Sequence, residues 1–188
     1  MQPEKIRKMI LCSLFVALII IGTFIKIPIP VVPFTLQFLF TMLAGLLLGG
    51  RSGCCAVLVY IAMGLIGFPI FAEGGGISYV LRPSFGYIIG FAIAAFVTGV
   101  IANRVEKPGY KRLLAANFIG LGIVYFFGML YYYLISCFYL GTPIGLAPLF
   151  LYCFILAVPG DIVLCILGTV LAKRLIPILH INGHKRKD

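Results

Sequence analysis

Apolar residues fill this chain in long blocks, separated by short connections that are either basic or rich in proline and glycine. The blocks predict six helices, at about residues 9–25, 34–48, 54–66, 84–102, 113–140 and 149–176. A helix rises 1.5 Å per residue, so about 20 apolar residues cross a bilayer core of about 30 Å. Most of the blocks approach that length. The second is short for a span and is expected to tilt or to begin below the surface. The opening MQPEKIRK leads into a long apolar run with no small-residue cleavage site after it, so it reads as a retained first span. Small residues recur four apart, at Ser13 and Ala17, Gly45 and Gly49, and Gly86 and Gly90. That spacing lets a second helix approach closely.

The connections differ in kind. Lys26 to Gln37 reads KIPIPVVPFTLQ, where Pro28, Pro30 and Pro33 force extended backbone. Gly67 to Gly90 reads GFPIFAEGGGISYVLRPSFGYIIG, too rich in Gly and Pro to continue a helix. It holds Glu73 and Arg82, three consecutive glycines and several aromatic rings. These are the ingredients of a site for a small polar molecule, and equally of a long exposed loop with a solvated ion pair. Residues 141–148 form a third Pro/Gly connection. Gly49–Gly53 is a tight turn with Arg51, residues 103–112 carry four basic side chains, and the tail HINGHKRKD is basic and expected to be disordered.

Composition settles the broad class. The chain is 62% hydrophobic and 11% charged, against roughly 25% charged in soluble domains. It reads as a single all-α transmembrane domain over residues 1–188 of a multi-pass membrane protein. The net charge of +10 suggests nucleic acid only until the basic residues are located. With both termini in the cytoplasm, every Lys and Arg except Lys26 and Arg82 lies on the inner side, as the positive-inside rule requires. Nucleic acid is therefore rejected as a partner, and membrane lipid is the chain's medium. The three Pro/Gly-rich connections all fall on the outer face. The cysteines at 12, 54, 55, 137, 153 and 165 show no CxxC pairing and read as small apolar helix residues.

Few residues are left to carry chemistry. Asp161 stands in Val158-Pro159-Gly160-Asp161, within the sixth predicted helix. A carboxylate at membrane depth costs at least about 2.5 kcal/mol and needs a partner or a purpose. Binding is one reading; a structural pair with Arg82 or Lys26 is the other. Pro159 is expected to free a carbonyl and bend the helix. Arg82 offers a planar fork for a carboxylate, Glu73 accepts N–H donors or pairs with Arg82, and Gln37 both donates and accepts. Asn117 reads as a packing hydrogen bond. The chain has no Walker A, HExxH or GxSxG motif, and its glycine run is not a nucleotide fingerprint. Nothing points to an enzyme, and nothing here can hydrolyse ATP.

Three blocks, PFTLQ at Pro33–Gln37, FPIFAEGGGISYVLRPSFGYIIGF at Phe68–Phe91 and VPGD at Val158–Asp161, resemble the BioY biotin-transporter family. The resemblance covers nearly the whole chain and keeps the blocks in order. It implies the six-helix bundle of a substrate-binding S component of an energy-coupling factor (ECF) transporter. Biotin would be the transported ligand, captured outside and delivered inward, with a T component and two ATPase subunits as partners. No other cofactor is implied. In such families helix 1 meets the T component through small residues, which map to Ser13 and Ala17. Asp161 and Gln37 would then read the ureido ring. Arg82, Ser84 and the amides of the glycine run around Gly75 would hold the carboxylate. Glu73 belongs to the same site, and Phe34, Phe71 and Tyr79 would enclose the fused rings. Either orientation of biotin is compatible with this set.

The chain departs from the family pattern at Leu164, where many members have Lys three residues after the Asp, and at Pro83-Ser84-Phe85-Gly86, where many read Pro-Thr-Gly-Gly. Three alternatives stand beside this reading: an S component for another vitamin or heterocyclic acid, a transporter working without ATPase partners, and a non-transporting scaffold or small channel. A channel needs a continuous polar path, and helices 1, 3 and 4 offer almost none.

Overall fold

The computed structural model describes residues 3–27, 34–105, 107–141, 145–155 and 157–179. The prolines at 28, 30 and 33 and the tail from His180 lie outside the described residues. Helix α1 spans Pro3–Phe24, α2 Gln37–Leu48, α3 Gly50–Ile66, α4 Phe85–Ala102, α5 Tyr110–Phe138, α6 Leu146–Phe150 and α7 Val158–Leu179. A two-residue strand β1, Lys26–Ile27, pairs antiparallel with β2, Phe34–Thr35, and a 3-10 turn covers Ile77–Leu81. Helices α1, α4, α5 and the segment ending in α7 are long and apolar enough to cross a membrane, while α2 and α3 are shorter apolar helices.

Three local features depart from the sequence expectation. Helix α2 starts at Gln37 rather than at residue 34, because Phe34 and Thr35 pair with β1 and the Leu36 amide donates to the Ile25 carbonyl at 3.1 Å. Gly49 is a turn residue, not a packing face. It joins α2 to α3 alone, at φ +87°, where a side chain would strain the backbone. The sixth predicted helix is divided. Helix α6 runs into a π-helical turn, Leu151–Ile155, and α7 begins afresh at Val158. Pro159 therefore opens a helix instead of bending one. Its missing N–H falls in the first turn, where no intrahelical partner exists.

The short helix α2 lies at the centre. Every residue of it except Phe40 is buried, and it packs against α1, α3, α4 and α7. A helix that is apolar on all sides belongs in such a position. At one end, α2, α3 and α4 touch backbone to backbone. A β-carbon on Gly99 would lie 2.3 Å from the Gly50 nitrogen and 2.6 Å from the Gly45 oxygen. Helix α4 also packs along α5, where a β-carbon on Gly86 would lie 2.2 Å from Tyr131 Cβ. Gly45 and Gly86 thus serve the close approach that their spacing predicts.

Four buried threonine hydroxyls are satisfied within their own helices. Thr23, Thr41, Thr98 and Thr169 each donate to the carbonyl four residues earlier. Asn117 has the expected packing role: its Nδ2 donates to the Cys165 carbonyl at 3.1 Å and to Thr169 Oγ1 at 3.0 Å, joining α5 to α7. All six cysteines are free.

Candidate functional site

Helices α2, α4 and α7 begin at the same end of the bundle. Gln37 is the first residue of α2, Ser84 immediately precedes α4, and Asp161 lies in the first turn of α7. All three line one pocket. Helix α4 contributes a face at helical spacing, Ser84, Tyr87, Ile88 and Phe91. Phe34 and Thr35 of β2, Ala72, and Tyr79 of the 3-10 turn complete the mouth, and Tyr125 of α5 and Cys153 of the π-helical turn reach in from the far side.

Asp161 is only 8% exposed. Its Oδ2 accepts a hydrogen bond from the Tyr125 hydroxyl at 2.5 Å. This is not the Arg82 or Lys26 partner that the sequence suggested. Lys26 Nζ instead donates to the Ala72 carbonyl at 3.0 Å. Arg82 pairs with Glu73 at 3.3 Å, with the two side chains 57% and 37% exposed. The residue before a proline is held extended, and Arg82, at φ −83° and ψ 139° before Pro83, carries its side chain outward.

Gln37 is 4% exposed, and its Nε2 has no hydrogen-bond partner among the described residues. A buried donor left unpaired costs about 1–3 kcal/mol. Gln37 lines the pocket, and the Tyr60 hydroxyl lies beside its side chain. Ser84 Oγ donates to the Tyr79 hydroxyl at 3.1 Å. Burial pushes the Tyr79 phenol above its ordinary value, so it stays protonated at neutral pH.

Of the residues singled out from sequence, the pocket brings together Phe34, Gln37, Tyr79, Ser84 and Asp161. Phe34 lies over α7, where a β-carbon on Gly160 would meet its ring at 2.6 Å. Phe71 is 1% exposed and braces Tyr79 from behind, ring centroids 4.5 Å apart, with Tyr60 on its other side at 5.4 Å. It supports a pocket ring rather than forming the wall. The Gly75 backbone rests on the carbonyls of Phe68 and Gly64 and is not part of the pocket lining, to which Ala72 and Tyr79 contribute from this connection. Glu73 and Arg82 stand at the surface above it. Ser13 and Ala17 are exposed on α1, facing away from the bundle, and Ser13 Oγ donates to the Met9 carbonyl at 3.1 Å.

The sequence does not single out Tyr87, Phe91 or Tyr125 as pocket residues, and it reads Cys153 as a small apolar helix residue. Tyr87 and Phe91 carried a usable signal, three and seven residues beyond Ser84 on one helical face. Tyr125 carried none, because nothing local indicates that it meets Asp161 across two helices.

The BioY family model matches residues 1–180. A protein of Lysinibacillus sphaericus named as a probable biotin transporter BioY is 45% identical over 93% of this chain and 89% of its own length. One of Pyrococcus horikoshii with the same name is 36% identical over 91% and 97%. Among solved structures, the S-component for biotin from an ECF-type ABC transporter superposes with a TM-score of 0.80 at 29% identity, over 93% of both chains.

Proposed function

The chain belongs to the BioY family, and from that premise we propose that it is a biotin-uptake protein of the membrane, the S component of an ECF transporter and not an enzyme. It captures biotin at the outer face in the pocket between α2, α4 and α7. A T component and two ATPase subunits then supply the energy that the chain itself has no motif to provide. The exposed small residues Ser13 and Ala17 on α1 give the T component a surface for close approach.

The observation that carries the reading is one carboxylate and one amide side chain lining a common pocket. Asp161 keeps one carboxylate oxygen beyond the one that Tyr125 engages, and Gln37 Nε2 has no partner among the described residues. A cyclic urea presents N–H donors beside a carbonyl acceptor, the complement of this pair. The aromatic walls from Phe34, Tyr79 and Tyr87 suit the fused rings, and the valeryl carboxylate extends toward Ser84 and the outer connection. At position 164 the family resemblance leads to an expected lysine, but Leu164 is buried in the bundle core. Gln37 supplies the donor in its place.

The test is biotin titration of the purified chain in detergent. Asp161→Asn is expected to weaken binding about ten- to a hundredfold, the range for a hydrogen bond to a charged group. Arg82→Ala is expected to cost threefold or less, about what an exposed ion pair contributes. A folded wild-type chain that does not bind biotin would sink the ligand assignment. Unchanged binding in Asp161→Asn would keep the ligand and discard this pocket.

A further inference from the structure

Tyr125 stands apart from the other buried tyrosines because its hydroxyl is committed to the pocket's one carboxylate. The Tyr125 ring is fixed on two sides. Tyr87 meets it edge-on, centroids 6.0 Å apart at 86°, and Phe154 meets it at 5.2 Å and 75°. Tyr87 is itself anchored, its hydroxyl donating to the Cys153 carbonyl at 3.4 Å. Cys153 and Phe154 both belong to the π-helical turn Leu151–Ile155, an irregular backbone feature frequent at functional sites. The turn thus places two supports around one phenol.

We propose that Tyr125 is the positioning residue of the pocket: it holds Asp161 with one oxygen occupied and the other presented, so that the site reads a neutral N–H edge rather than a cation. This rests on the biotin reading above. A buried carboxylate without a donor would draw a positively charged ligand to compensate it. The Tyr125 hydroxyl supplies part of that compensation from within the protein. Gln37, whose Nε2 has no partner among the described residues, acts in the same direction, because it offers a donor where a cationic guanidino ring also has donors. Tyr125 acts through Asp161, and its role is separable from simple packing because the ring contacts survive loss of the hydroxyl.

The experiment measures affinity for biotin and for 2-iminobiotin, whose protonated guanidino group replaces the neutral urea, in wild type, Tyr125→Phe and Tyr131→Phe. Tyr131 is on the same helix, but its hydroxyl donates to the Val80 carbonyl outside the pocket wall. The expected result is a tenfold or greater loss of biotin affinity in Tyr125→Phe, with iminobiotin losing much less, so that the affinity ratio shifts toward the cation. Tyr131→Phe should leave the ratio unchanged. Equal losses of both ligands in Tyr125→Phe, or the same ratio shift in Tyr131→Phe, would overturn the positioning role while leaving the biotin reading intact. A folded wild type that binds neither ligand would overturn the biotin reading and this inference with it.

Discussion

At the scale of single residues, the pocket wall keeps an unpaired polar atom in Gln37, as the packing between α5 and α7 does in Asn117 Oδ1, among the described residues. Gln37 is enclosed by the bundle, yet its Nε2 has no partner among the described residues. Replacing a buried unpaired donor by an apolar group of similar shape is neutral or stabilising. Gln37→Leu should therefore leave the ligand-free chain as stable as wild type, or more stable by up to about 1–3 kcal/mol, while biotin affinity falls about tenfold. Thermal unfolding in detergent and biotin titration of the same preparation check both signs. A variant that lost stability as well would show that the amide serves the fold. Several of these residues were legible in the sequence because chemistry alone marks them: a carboxylate inside an apolar run, and an amide at the head of a helix. Tyr125 was not, since a tyrosine in an apolar helix is ordinary and its partner lies in a different helix. Arg82 was legible as a charge, but its outward direction was not. That direction follows from the extended backbone before Pro83 and from a salt bridge to Glu73 within the same connection.

At the scale of elements, close helix contact is set by a few glycines, and the structure separates those that matter from those that do not. The junction of α2, α3 and α4 leaves no room at Gly99, whose β-carbon would press on the backbone of Gly50 and Gly45. Gly122, on α5, meets nothing within 4 Å. Gly99→Ala should destabilise the bundle by about 1–3 kcal/mol or more, since backbone cannot yield as a flexible side chain does. Gly122→Ala should be neutral or stabilising by up to about 1 kcal/mol, through helix propensity alone. Thermal unfolding of the two variants side by side decides it, and equal effects would contradict the packing described. Small-residue spacing announced the face at Gly45 and Gly86, but it read Gly49 as packing where the chain needed a left-handed turn. It also gave no hint of the π-helical turn before α7. The apolar pattern continues through both segments, so hydropathy alone joins α6 to α7, and only the backbone hydrogen bonding divides them.

At the scale of the whole molecule, charge, helix polarity and pocket position agree on one orientation. Helices α2, α4 and α7 begin at the pocket, so their partial positive ends surround the space that would receive an anionic ligand tail. Their other ends meet the basic face. Arg112 Nε donates to the Ile101 carbonyl at 2.7 Å, at the last turn of α4, and Arg7 donates to the Leu179 carbonyl at the end of α7. Lys173 Nζ donates to the Pro108 carbonyl at 2.9 Å, closing the loop between α4 and α5. Cations at helix C-termini are favourable, and cytoplasmic loops favour cations, so the two preferences coincide only if the pocket opens outward. Alkaline phosphatase, active only outside the cytoplasm, should therefore be active when fused after Gly76. It should be inactive when fused after Gly109 or at the C-terminus, where a fluorescent protein should instead fold and emit. The reverse pattern would place the pocket on the cytoplasmic side and turn an uptake protein around, whatever its affinity for biotin. Activity at both Gly76 and Gly109 would mean that the α4 segment between them does not cross the membrane.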